Sequence, residues 1–256
     1  MSFLNKIFGH KKLLSVQPAD LQMWRTSKVS NTRPSCNCLQ PQYEDGSFKE
    51  LRLHAEVQDT KCDAWLLLED LIQQVFLSQA EEFAPGLVMP PEMWSQITIL
   101  PPSIKQLKSV KRLYLYGSHL TRIPVEIGQM TSLEEFDAYT SYSLHWLPYE
   151  ITRCQNLKRS RMSTRALYGN YKYRPPFPRL GTISTFTETP HNCSVCAQEL
   201  SGSESYQVWI SLRVGTDVMP LLVHACSQKC IQQLPSPAQD YVDHPHKGGL
   251  TLQQPD

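Results

Sequence analysis

Glycine is scarce in this chain, with eleven residues in 256 against nineteen prolines. That imbalance points to many short elements joined by stiff turns. Charge is also sparse, at 19% of residues, and the net value of +1 leaves no overall pull toward nucleic acid or a membrane surface. No run of about 18 apolar residues occurs, so the sequence predicts no membrane span. At the start, Phe3, Leu4, Ile7 and Phe8 are interrupted by Lys6 and stop at Gly9. They lack the continuous apolar core of a signal peptide and read as a helix-like turn docking on the domain. P-loop, G-x-S-x-G, HExxH and dinucleotide fingerprints are all missing, so nothing in the motifs points to an enzyme.

What the chain has is a repeat. Segments beginning at Leu100, Ile123 and Leu147 each open with an aliphatic residue followed by Pro101, Pro124 or Pro148. Each then carries apolar residues four, seven and ten positions on: Ile104, Leu107, Val110; Ile127, Met130, Leu133; Ile151, Cys154, Leu157. A fixed period of this length signals stacked units, each too small to bury its own apolar face. The pattern resembles leucine-rich repeats of about 23 residues, and the resemblance covers about 70 residues. It implies an α/β fold, a short leucine-rich-repeat solenoid of strand-plus-return units. The departures are Ser118 and Ser141, where the family has asparagine, and Ser160 and Arg165 in the third unit. So short an array needs caps. Trp65, Leu68, Leu71, Ile72, Val75 and Phe76 at helical spacing predict an N-terminal capping helix, ended by Pro85 and Gly86.

The expected organisation is then an N-terminal segment of mixed pattern at 1–60 and the capping helix at 61–86. Repeats follow at 87–170, a basic proline-rich linker at 171–190, a zinc module at 191–235 and a tail at 236–256. One strand is expected within "FKELRLHAEV". Alternation along the repeat strands places Arg112, Tyr114, Tyr116, Glu135, Asp137, Tyr139, Arg159 and Arg161 on the concave face. These residues form columns of opposite charge that satisfy one another. They are equally the arginine and tyrosine types that dominate binding hot spots, which makes this face the candidate site for a protein partner.

From Ile151 to Thr187 there is no acid, but there are eight bases and interleaved tyrosines. Basic charge beside aromatic rings suits single-stranded nucleic acid. It is also the composition of a solvated, proline-stiffened connector, and no nucleic-acid fold signature accompanies it.

Eight cysteines remain to be explained. Cys154 occupies a core leucine position and reads as buried. Cys193, Cys196, Cys226 and Cys230 form C-x2-C, an interval of 29 residues, then C-x3-C. Two thiolates on a tight turn can aim at one ion, and a second pair completes a tetrahedron. Between the pairs lie two β-rich runs, 205–214 and 218–224, around Gly215-Thr216-Asp217. The order knuckle, hairpin, helix start is similar to a treble-clef zinc finger, which implies a structural Zn2+ with no open position. Metal-bound or free thiols, rather than disulfides, fit a cytoplasmic protein. "CNC" at 36–38 with His54 and Cys62 fits no common zinc spacing, and His244 and His246 read as part of a surface tail.

Taken whole, the chain resembles bacterial leucine-rich-repeat proteins with a cysteine-rich C-terminus. The resemblance implies a non-enzymatic module for protein–protein interaction. A zinc-containing nucleic-acid binder using 151–187 is the alternative.

Overall fold

The three prolines that open the repeated segments do the same local work. Pro101, Pro124 and Pro148 hold φ near −70° in extended backbone, and a 3-10 turn follows each: Pro102–Gln106, Val125–Gln129 and Tyr149–Arg153. After each turn the chain enters a short strand. The computed structural model describes residues 57–163, 177–180, 190–200 and 206–256. The expected strand before residue 57, the CNC pair, His54 and most of the 171–190 linker lie outside these residues.

In chain order, helix α1 spans Asp63–Ser78 and β1 spans Glu82–Phe83. Two single-turn helices follow, α2 (Pro85–Val88) and α3 (Pro91–Trp94). Strands β2 (Arg112–Tyr114), β3 (Glu135–Ala138), β4 (Leu147–Pro148) and β5 (Arg159–Met162) belong to the repeated region. A long hairpin, β6 (Tyr206–Val214) and β7 (Asp217–Ala225), leads to the short helix α4 (Gln228–Gln232). Helix α1 stops at Ser78, before the expected Pro85, because Gln79 turns left-handed at φ 53° and the chain must then pair as β1.

Strands β1, β2, β3 and β5 form a parallel sheet in which Arg112, Glu135 and Arg159 are in register. The same backbone motif recurs at each step. Glu81 O accepts from Lys111 and Arg112, Lys111 O from Glu134 and Glu135, and Glu134 O from Lys158 and Arg159. Beneath the sheet, Ile104, Leu107, Val110, Ile127, Met130, Leu133 and Ile151 are fully buried. Ser118 and Ser141, which depart from the family pattern, are buried too. Ser118 Oγ donates to Ser141 Oγ at 2.8 Å, and Ser141 Oγ donates to Leu115 O at 2.9 Å. Buried hydroxyls here satisfy the strand-end backbone.

The expected solenoid followed by a separate β-rich zinc module is not the architecture found. The described residues form a mixed α/β fold with four helices and two sheets, one parallel and one mixed. In a solenoid each repeat contacts only its neighbours. Here β4, from within the repeated region, pairs parallel with Leu221 and Leu222 of β7, giving the order β4-β7-β6. One apolar core runs from α1 through both sheets to Cys193 and Cys230.

Ser160 explains the junction. It occupies an apolar position of the repeat, yet its Oγ donates to Val214 O at 2.7 Å and accepts from Asp217 N at 3.0 Å. Thr216 Oγ1 accepts from Ser160 N and donates to Ser160 O, and Asp217 Oδ2 accepts from Met162 N. The hairpin turn thus caps the backbone of the edge strand β5, which would otherwise present open pairing groups.

The last residues turn back along β6. Trp209 and His246 exchange backbone hydrogen bonds at 2.8 and 3.1 Å, and a second small core gathers Trp146, Phe177, Leu180, Trp209 and Leu222. His244 is exposed but His246 is buried, its ring 4.6 Å from that of Phe177. His246 Nδ1 accepts the Gly248 N–H, so the neutral ring carries its proton on Nε2, buried without a partner among the described residues.

Burial, with His244 adding to it, holds the His246 pKa down at about 3. The unfolded chain, with an ordinary imidazole near 6.5, binds more protons between those values. Stability is therefore complete above about pH 6.5 and falls as pH drops toward 3. We expect His246 to account for a loss of about 2 kcal/mol at pH 5, seen as a lower urea midpoint. His246→Phe should flatten that part of the pH dependence. Parallel curves for the two proteins would refute this origin.

Candidate metal centre and strand face

The local backbone of residues 190–200 explains why Cys193 and Cys196 converge. Ala197, at φ 60°, bends the chain so that Cys193 N donates to Gln198 O at 2.7 Å and Ala197 N donates to Cys193 O at 3.0 Å. Asn192 and Glu199 then pair across the base of this loop. The second pair comes from the end of the hairpin. Cys226 directly follows β7, and Cys230 lies in α4, where Ser227 caps the helix by accepting from Cys230 N.

All four sulfur atoms lie within 4.8 Å of one another. Cys226 Sγ is 3.6 Å from Cys196 Sγ and 3.5 Å from Cys230 Sγ. A disulfide would need about 2.05 Å. A tetrahedral ion with sulfur bonds of about 2.3 Å places its ligands about 3.8 Å apart, so the constellation fits a metal. Burial alone would push the Cys193 thiol up, but backbone N–H groups from Cys196, Cys226 and Val195 hold it down at about 7. Cys226 is raised, chiefly by its Cys230 neighbour. Crowded thiolates of this kind are what a cation relieves. The neighbouring histidines are not part of the cluster: His191 is exposed, and buried His224 pairs with Gln207.

The cluster is fastened to the repeated region through Ser194, a residue the sequence did not single out. Ser194 N donates to His224 O at 2.7 Å, and its Oγ accepts from His224 N at 3.0 Å. Arg153 Nη2 donates to Ser194 O at 2.9 Å. Glu150 is buried with its Oε2 unpartnered among the described residues, and burial pushes its carboxyl up although Ser194 and Arg153 favour the charged form. Glu126 and Ser103 occupy the same position in the earlier units, so no sequence signal marked Glu150 as special. Cys154, at a core position, is buried with its thiol pushed up to about 12, and donates to Ile127 O.

The predicted partner-binding residues divide into two groups. Tyr114 and Asp137 are buried, so neither offers its side chain to a partner. Arg112 is half-buried and paired with Glu82. Glu135 pairs with the exposed Arg159 at 3.3 Å. Asp137 grips Arg161 through Nε and Nη2, and the guanidinium lies 4.8 Å from the centre of the Tyr139 ring. Tyr139 in turn packs against Tyr116, ring centroids 5.8 Å apart. The accessible part of the face is therefore Tyr116, Tyr139, Arg159 and Arg161. Of the basic stretch 151–187, positions 164–176 and 181–187 lie outside the described residues. Among those residues no helix is long and apolar enough to cross a membrane. No protein-family model matches the chain, and comparison with curated proteins finds no match.

Proposed function

We propose that this chain is a non-enzymatic protein-binding module of the cytoplasm, related to bacterial leucine-rich-repeat proteins. Its partner surface is the outer face of the parallel sheet, and a structural zinc ion is held by Cys193, Cys196, Cys226 and Cys230. The observation that carries the binding reading is the arrangement of Arg161. Buried Asp137 fixes its guanidinium over Tyr139, and Tyr139 rests on Tyr116. Arginine and tyrosine held in place beforehand lose little conformational entropy when a partner arrives. Four sulfur ligands saturate a tetrahedral ion, which supports a structural rather than a catalytic metal.

The test is cross-linked capture from the protein's own cells, followed by titration with the captured partner. Tyr116→Ala with Tyr139→Ala should weaken binding by about tenfold or more at unchanged melting temperature. Equal capture by the parent and this variant would overturn the proposal.

A further inference from the structure

Five ion pairs link the strands of the parallel sheet and the residues just before them: Glu81–Lys111, Glu82–Arg112, Glu134–Lys158, Glu135–Arg159 and Asp137–Arg161. Formally the face is neutral, but its charges sit at different depths. Toward β5 the bases stand outermost: the side chains of Lys158, Arg159 and Arg161 are 73%, 72% and 40% exposed, against 43%, 15% and 4% for their acids. Toward β1 the balance is even, with Lys111 and Arg112 at 38% and 36% and Glu81 and Glu82 at 52% and 21%. The contacts of Lys158 and Arg159 are also the loosest, at 3.6 and 3.3 Å. The face therefore presents positive charge at its β5 end and little net charge at the other.

We infer that the partner of this face is an acidic protein segment, docked in extended form across the β5 end. This rests on the protein-binding reading above and adds the chemistry of the partner. Arg159 and Arg161 are two apart on one strand, with Ser160 and Met162 turned inward between and beyond them. Same-side residues on a strand lie about 6.7 Å apart, the spacing of carboxylates on alternate residues of an extended peptide. Each arginine carries five N–H donors in a planar fork, and Asp137 takes two of those on Arg161. Carboxylates are the group such forks hold with two bonds at once. A phosphodiester strand suits the site less well. The chain as a whole carries a net charge of only +1, and its sequence holds no nucleic-acid fold signature.

The experiment uses the full chain and three labelled probes followed by fluorescence anisotropy. They are a short peptide of alternating glutamate and threonine, its glutamine counterpart, and a short single strand of oligo-dT. The glutamate peptide should bind and the glutamine peptide should not. Lys158→Gln with Arg159→Gln should weaken glutamate-peptide binding by about tenfold, and Lys111→Gln with Arg112→Gln by no more than about twofold. Both variants are checked for unchanged circular dichroism and melting. Unaltered peptide binding in the β5 variant, equal loss in the two variants, or tighter binding of oligo-dT than of the peptide would overturn the inference. The captured partner separates the two levels. Binding that depends on Tyr116 and Tyr139 but is indifferent to the β5 variant leaves the module reading standing and removes the acidic partner.

Discussion

Chelation of the purified protein under reducing conditions should lower its melting temperature by about 8–16 °C. The figure comes from scaling. A structural ion supplies folding free energy directly; if about 4 kcal/mol of it is lost, a chain of this size drops by about 2–4 °C per kcal/mol. The loss should spread beyond the metal loop. Cys193 adjoins Ser194, which is bonded at once to His224 of β7 and to Arg153 of the third unit. Hydrogen exchange should therefore accelerate at Ser194, along β7 and in the Tyr149–Arg153 turn together. Cys196→Ser should reproduce the effect, and elemental analysis should find one zinc per chain in the parent. Superimposable melting curves with and without chelator would refute the structural metal.

Gly215→Ala should cost about 3 kcal/mol. Its φ of 64° alone costs a residue with a Cβ about 1–2 kcal/mol. The new Cβ would also stand 2.8 Å from the Arg159 carbonyl carbon and 2.9 Å from Ser160 N. Both are backbone atoms, so the hairpin must lift away from β5. Lifting would break the bonds from Thr216 and Asp217 to Ser160 and Met162, each contributing about 1 kcal/mol. Thr216→Ala, which keeps the approach and removes one hydroxyl, should cost only about 1 kcal/mol. The check is urea denaturation of the three proteins, and a Gly215→Ala loss below about 0.5 kcal/mol would show that the contact is not tight.

Much of the candidate site was legible because it rests on short-range rules. The C-x2-C and C-x3-C spacings bring each thiol pair together within one turn of chain, and both pairs meet in one cluster. Arg112, Glu135 and Arg159 come into register because the period of the repeat sets which residues lie side by side. The face was less legible. Alternation says which way Tyr114 and Asp137 point, but not how deep they lie. Depth depends on what stands over them, and Arg161, stacked on Tyr139, covers the Asp137 carboxylate.

Sequence alone settled the elements whose causes are local. Proline before each 3-10 turn, apolar residues four, seven and ten positions on, and paired cysteines all act over a few residues, where covalent geometry leaves few options. Only the tertiary structure decided what these parts become together. Ser160 reads as a flaw in the repeat until Val214 and Asp217, more than fifty positions away, supply its hydrogen bonds. Leu147 and Pro148 read as the start of a third unit until β7 pairs with them and fuses the two sheets. Long-range pairing depends on which surfaces meet, and a periodic pattern carries no record of a partner so far along the chain. For that reason the expected solenoid with a separate module is instead one fold with a shared core.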